Sequence, residues 1–170
     1  LDTTSNQIMN SMSALFFGNA IGRLVLGPLA DRYGRKPIIL LTLIIFTCSA
    51  LASGLASSIE FFVFFRFIQG FSIAGGHVFS LSVARDLFEK EELGRIIANA
   101  TAIMGLAGIV FPVLGGQMIQ FMPWQSIFWV MSIFGLTVFS FVIISYKETI
   151  RQKNPQAVNP RFLLQNWFNI

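Results

Sequence analysis

Long apolar runs separated by short polar stretches dominate the hydropathy pattern of this chain of 170 residues. A bilayer core about 30 Å thick needs roughly 20 helical residues at 1.5 Å each, and five runs reach about that length. The pattern therefore predicts an all-α membrane protein, a polytopic bundle of five transmembrane helices within residues 1–146. The expected spans are about residues 9–30, 38–57, 60–84, 96–121 and 125–146.

The basic residues predict the orientation of these spans. Bases lie in the first and third polar stretches and after the last run, whereas the start of the chain and the second and fourth connections have none. The positive-inside rule therefore places the N-terminus outside and the C-terminus in the cytoplasm. Of the twelve Lys and Arg residues, only Arg23 and Arg66 fall inside the predicted hydrocarbon region.

Residues 147–170 are mostly polar and end in an amphipathic stretch. We expect a cytoplasmic linker with a short interfacial segment that leads towards a missing half, with a C-terminal membrane anchor as the alternative. An odd number of spans with an exterior start is typical of a chain whose first helix has been cut away. We therefore expect a fragment whose partners include the remaining helices of the same protein.

Composition narrows the class of protein further. With 54% hydrophobic and 12% charged residues, the chain has too little polar surface for a water-soluble globule. A net charge of +4 would suggest nucleic acid in a soluble protein. Here the bases lie between apolar runs, so we expect a lipid bilayer and no nucleic acid as partner. The sequence has no nucleotide-binding loop, metal-ligand pair or nucleophile elbow. We therefore expect that the protein is not an enzyme and binds no cofactor.

Three stretches resemble signatures of the major facilitator superfamily. Residues 27–37, Gly-Pro-Leu-Ala-Asp-Arg-Tyr-Gly-Arg-Lys-Pro, resemble its loop signature between the second and third helices, and residues 66–70, Arg-Phe-Ile-Gln-Gly, its fourth-helix signature. A third stretch, with Pro112, Gly115 and Gly116, resembles the fifth-helix motif of its antiporters. The order and spacing match helices two to six of a twelve-helix transporter. The first two spans are similar to drug:proton antiporters of the bicyclomycin-resistance type.

The resemblance implies a conformational latch in the first loop. Asp31 and Arg35, in the motif that also contains Gly27 and Gly34, would hold the two transporter halves together in the outward-facing state, with Asp86 as a further partner of Arg35. Physical chemistry agrees, because a carboxylate at a helix C-terminus needs nearby cations. Charges that only set the topology are the alternative.

Asp86 also has a local interpretation. The sequence Asp86-Leu87-Phe88-Glu89 has the spacing of a capping box that would start the next helix. One carboxylate oxygen could accept a backbone N–H while the other faces a guanidinium, so both interpretations stand.

Arg66 is the most informative residue inside a predicted span. An arginine there costs at least ~2.5 kcal/mol on insertion scales, so it normally faces a partner or an aqueous cavity, although its side chain could extend to the surface instead. Helical periodicity favours the cavity because it predicts a polar or small stripe on the same face. The stripe consists of Arg66, Gln69, Gly70, Ile73, His77 and Ser80.

Other polar side chains inside the spans extend the predicted cavity. His77 could carry a proton or simply hydrogen-bond a neighbouring helix. Asn19 and Arg23, four residues apart, share a face and could line the same cavity, whereas Gly18 and Gly22 have the spacing of a close helix contact. No acidic residue lies deep in a span, so we expect the main proton carrier in a missing helix.

These observations favour one function over two alternatives. We expect a secondary transporter of the bacterial inner membrane that exports small amphipathic compounds, including drugs, in exchange for protons by alternating access. Its expected partners are a small-molecule substrate and protons. The alternatives are proton-coupled uptake of a metabolite, and a transport-inactive remnant or sensor.

Overall fold

The computed structural model describes residues 5–148 and residue 157, and in this part of the chain it contains five α-helices and no strand. All five helices are long and apolar enough to cross a membrane. The predicted all-α bundle is therefore confirmed, while most of the predicted linker, with its amphipathic segment, lies outside the described residues. The helices are α1 (Ser5–Tyr33), α2 (Arg35–Gly54), α3 (Ile59–Leu87), α4 (Lys90–Phe121) and α5 (Gln125–Ser145).

The helices differ from the predicted spans mainly at their polar ends. Helices α1, α3 and α4 extend beyond their apolar runs because charged residues can continue a helix outside the hydrocarbon region, and Glu91 and Glu92 in the first turn of α4 favour its N-terminus. Helix α2 lies about three residues earlier than expected, so Pro37 is its third residue rather than its first. Pro37 still removes no intrahelical hydrogen bond at this position, because the first four amides of a helix have no intrahelical acceptor.

The connection between α1 and α2 is a single residue, Gly34, with φ 108° and ψ 154°. Its N–H donates to the carbonyl of Ala30 over 2.9 Å and so closes the last turn of α1. A side chain would be strained at this φ, whereas glycine adopts it freely. This positive φ allows α2 to start immediately after α1.

Helices α1 and α3 run parallel and touch backbone to backbone. A Cβ atom at Gly70 would overlap the carbonyl of Leu15, and one at Gly18 would overlap the carbonyl of Phe67. At Gly22, a Cβ would lie 2.7 Å from the Cβ of Ala74. The predicted close contact at Gly18 and Gly22 is therefore confirmed, and this contact fixes the register of the two helices.

Helix α5 packs on α2 through small polar residues. The hydroxyl of Ser132 donates to the carbonyl of Thr47 over 3.3 Å and to the carbonyl of Phe128 in its own helix over 2.9 Å. Helix α4 has no buried residue among those that the structure describes. Helices α1, α2, α3 and α5 therefore form the packed part of the bundle.

One end of the bundle collects most of the described bases, and we call it the basic end. Helices α1, α3 and α5 end there and α2 begins there, as contacts of Arg35 with Asp86 and of Lys36 with Ile143 show. A small apolar core lies beneath this end. Its buried members are Leu26, Ala30, Ile38, Ala74 and Phe79.

Two alanine substitutions in α3 test the backbone contact. Gly70→Ala should lower the thermal midpoint of the purified protein by several degrees, because overpacking costs about 1–3 kcal/mol. Gly76→Ala is the matched control, since its Cβ would meet no atom within 4 Å and alanine favours a helix by roughly 0.5–1 kcal/mol over glycine. Equal midpoints for the two variants, measured by intrinsic fluorescence on heating, would contradict the contact.

Candidate functional site

Arg66 lies inside the bundle between α1, α3 and α5. Its guanidinium donates to Oε1 of Gln69 over 2.9 Å and to Sδ of Met12 over 3.4 Å, and it lies over the ring of Phe128 at 5.7 Å. Its buried Nε has no hydrogen-bond partner in the described part of the chain. An amide, a thioether and an aromatic ring thus surround the cation without neutralising it.

These contacts turn Arg66 inward rather than towards the nearest helix end, so the alternative of a side chain extended to the surface is wrong. Gln69, which holds the guanidinium, is only 1% exposed. Its amide nitrogen also lies 3.7 Å from Sδ of Met131 in α5. The Arg66–Gln69 pair therefore links α3 to α1 through Met12 and to α5 through Met131.

The polar stripe predicted on α3 divides into two halves. Gln69 and Gly70 are buried, whereas Ile73, His77 and Ser80 are exposed. The imidazole of His77 makes no hydrogen bond with a described residue, so the neighbouring-helix bond expected as one role for it is not present there. The stripe is therefore buried in its half towards the start of α3 and exposed in its half towards the basic end.

Asn19 and Arg23 lie beside the covered half of the stripe. The amide nitrogen of Asn19 lies 3.5 Å from the carbonyl of Gly70, and Nε of Arg23 donates to Oδ1 of Asn19 over 2.9 Å. The shared face predicted for these two residues is confirmed. Arg23 lies one helical turn closer to the basic end than Asn19, as Ile73 does relative to Gly70.

At the basic end, Arg35 forms an ion pair with Asp86. The side chains of Arg35 and Asp86 are 12% and 30% exposed, respectively, so this pair is only partly screened by solvent. The capping-box interpretation of Asp86 is wrong. Asp86 lies inside the last turn of α3, and the N-cap of α4 is Glu89, whose side chain makes no cap hydrogen bond.

Glu148, just after α5, was missed by the sequence analysis. Its two carboxylate oxygens each accept a backbone N–H over 3.1 Å, one from Arg35 and one from Lys36. The ammonium of Lys36 in turn donates to the carbonyl of Ile143 over 3.1 Å. The free amides at the start of α2 signal the need for an acceptor, but nothing in the sequence identifies Glu148 as that acceptor.

The remaining latch residues do not join this network. Asp31 is exposed and makes no hydrogen bond or ion pair with a described residue, so the structure does not bring it together with Arg35. Arg32 instead lies over the ring of Tyr33 at 5.2 Å. Gly27 is 3.8 Å from Val78, measured from a built Cβ, which is an ordinary contact.

The residues that resemble the antiporter motif lie on α4, away from the rest of the site. Pro112 lies inside the helix, and a Cβ at Gly115 or Gly116 would meet no atom within 4 Å. The described residues also contain no group of three or more side chains able to hold a metal ion. The site is therefore an array of cations and amides, suited to binding and conformational control.

Comparison with known proteins agrees with this arrangement. The model of the Major Facilitator Superfamily matches residues 1–168. A Haemophilus influenzae protein named "Bicyclomycin resistance protein homolog" is 34% identical over 167 residues, which cover 98% of this chain and 42% of that protein.

Two further relatives extend the comparison. "Uncharacterized MFS-type transporter YdgK" of Bacillus subtilis is 32% identical over 88% of this chain and 38% of its own length. "Multidrug resistance protein MdtL" of Shewanella is 28% identical, also over 88% of this chain and 38% of its own length. The chain thus spans about two fifths of the length of these relatives. With five apolar helices and this match along nearly its whole length, the chain is an integral membrane protein that belongs to the major facilitator superfamily.

Proposed function

We propose that this protein exports small amphipathic compounds across a bacterial inner membrane in exchange for protons, by alternating access. The observation that carries the proposal is the similarity to the bicyclomycin-resistance homologue, which runs through 98% of this chain. The name of the MdtL relative supports the same substrate class. Alternating access would involve helices beyond the five described here, as part of the same transporter.

We propose the topology from the distribution of charge. The basic end carries Arg32, Arg35, Lys36 and Arg85, and bases favour the cytoplasmic side. This orientation places the start of α1 outside. Residues 147–170 would then form a cytoplasmic linker towards the second half of the transporter.

Arg66 is the proposed coupling residue. Its present partners, Gln69, Met12 and Phe128, are uncharged, so a carboxylate brought close to it would form a much stronger charge-assisted bond. Protonation of that carboxylate would remove the attraction and return Arg66 to its neutral partners. Such an exchange supports coupling, with the carboxylate supplied from outside the described spans and His77 as a second group able to take up a proton.

The basic end is the proposed latch. The start of α2 is joined to the end of α3 by the ion pair of Arg35 with Asp86, and to the residues after α5 by Glu148. These contacts hold the helix ends together. The carboxylate of Asp31 at the same end is exposed and is available to the other half of the transporter. Pro112, Gly115 and Gly116 on the exposed α4 are proposed to shape a second contact between helices.

A panel of amphipathic compounds tests the export function. Cells that express the protein should retain several of these compounds less than cells with an empty vector, and a protonophore should abolish the difference because it removes the proton gradient. Fluorescence or scintillation counting of cell-associated compound gives the measurement. Proton-dependent accumulation of a polar nutrient would instead indicate uptake, and no flux of any compound would indicate a transport-inactive protein.

Arg66→Ala should reduce proton-coupled export by at least about ten-fold, which corresponds to a loss of ~1.4 kcal/mol. Insertion should be unchanged, as measured by the amount that resists alkaline carbonate washing. The export rate of Arg66→Lys should lie between those of the unsubstituted protein and Arg66→Ala, because lysine keeps the charge but not the fork of donors. Arg95→Ala, an exposed arginine in the first turns of α4, is the control. Full export by Arg66→Ala would show that Arg66 only packs the helices.

The latch is tested by a double-mutant cycle on its ion pair. Asp86→Asn and Arg35→Gln should each slow export a few-fold, since a partly exposed pair contributes about 1 kcal/mol. The double variant should be no slower than either single variant, because the interaction is already lost. Equilibrium binding of an exported compound should be unchanged, and Glu89→Gln serves as the control. Additive losses of export rate would contradict coupling between the two residues.

A further inference from the structure

Arg23 and Arg66, which lie away from the helix ends, have no acidic counterpart at their depth along the helices in the described residues. Arg23 lies ten residues before the end of α1, about 15 Å along the helix axis. Every described acid, in contrast, lies within the first or last turn of a helix or outside the helices. These acids are Asp31, Glu60, Asp86, Glu89, Glu91, Glu92 and Glu148.

Arg23 differs from Arg66 in its exposure. The Arg23 side chain is exposed, and its one hydrogen bond with a described residue runs from Nε to Asn19 over 2.9 Å. Asn19 is itself held near the carbonyl of Gly70 at 3.5 Å. The guanidinium is therefore anchored on one edge, while its two terminal nitrogens make no hydrogen bond with the described residues.

A planar fork of donors held in this way matches a carboxylate. Two parallel N–H···O bonds from one guanidinium are the strongest common recognition of that group, and they gain strength away from bulk water. An organic cation, in contrast, would meet two positive charges, Arg23 and Arg66, and no compensating acid from the described spans. The charge arrangement therefore selects for a negative group.

We propose that Asn19 and Arg23 bind the carboxylate of an anionic or zwitterionic amphipathic substrate. The exposed side chains of Ala20 and Phe16, one and two turns before Arg23 on the same face of α1, would contact its apolar part. This proposal rests on the proposed export function and names its substrate class. The other source of a carboxylate is an acidic side chain elsewhere in the protein.

Three dansyl compounds that differ in one group test the proposal. Dansylglycine carries a carboxylate, dansylglycinamide is its neutral amide, and dansylcadaverine carries an amine. Fluorescence titration of the purified protein, expressed from its own gene and held in nanodiscs, should give at least ten-fold tighter binding of dansylglycine than of the amide. The same titration gives the affinity for the amine, which should be the weakest.

Substitutions of Arg23 test whether a preference for dansylglycine comes from the pair of Asn19 and Arg23. Arg23→Gln should remove the preference for dansylglycine, Arg23→Lys should keep part of it, and Arg95→Gln, which removes one exposed charge, should leave it unchanged. Equal binding of acid and amide by the unsubstituted protein overturns the proposal even if Arg23→Gln fails to fold. A preference that survives Arg23→Gln also overturns it.

The two sources of a carboxylate give different results. If an acidic side chain of the protein already neutralises Arg23, the unsubstituted protein will not prefer dansylglycine, and Arg23→Gln will gain affinity for dansylcadaverine because that acid is left unpaired. This result overturns the proposal. Failure of the export function is seen separately, as the absence of protonophore-sensitive flux, because the titration does not depend on transport.

Discussion

The backbone contact between α1 and α3 is the constraint on which the rest of the site depends. Gly18, Gly22 and Gly70 remove the side chains that would otherwise separate the two helices. In a membrane, such close packing replaces the hydrophobic driving force that water supplies to soluble proteins. The contact places Asn19 beside Gly70 and Met12 within reach of Arg66. The contact between α1 and α3 therefore shapes the surroundings of both arginines.

The two arginines show how one bundle can hold charge in two different ways. Around Arg66, Gln69 and the ring of Phe128 replace water with a fixed amide and a π-system, which lowers the cost of burial without cancelling the charge. Arg23 is oriented by Asn19, and its two terminal nitrogens have no hydrogen-bond partner in the part of the chain that the structure describes. The buried cation is thus suited to respond to a change of charge nearby. The exposed one is suited to bind a group that arrives from solution.

Local patterns in the sequence predicted the local features of the structure. The five spans follow from hydropathy, and the common face of Asn19 and Arg23 follows from helical periodicity. The prediction of a capping box at Asp86 is wrong because the motif is equally compatible with a longer α3. In the structure, the Asp86 carboxylate pairs with Arg35 on another helix. Local spacing could not decide between those two outcomes.

Long-range register was harder to predict from the sequence. The family resemblance suggested the contact of Arg35 with Asp86, but neither spacing nor charge indicated that Glu148 accepts the first two amides of α2. That contact depends on how far α5 extends and on its angle to α2. Similarly, periodicity identified the stripe on α3 but not which of its residues the neighbouring helices would bury. Both results depend on packing between helices distant in sequence.

Helix α1 connects the two parts of the site. Arg23 and Asp31 lie eight residues apart on one continuous helix, a separation of about 12 Å. Because α1 contacts α3 through backbone atoms, the two helices cannot slide past each other without a clash at Gly70 or Gly18. A tilt of the packed pair would therefore move Arg23 and Asp31 on α1 together with Arg66 on α3. The proposed binding at Arg23 and the proposed latch are thus connected through one pair of packed helices, as alternating access would require.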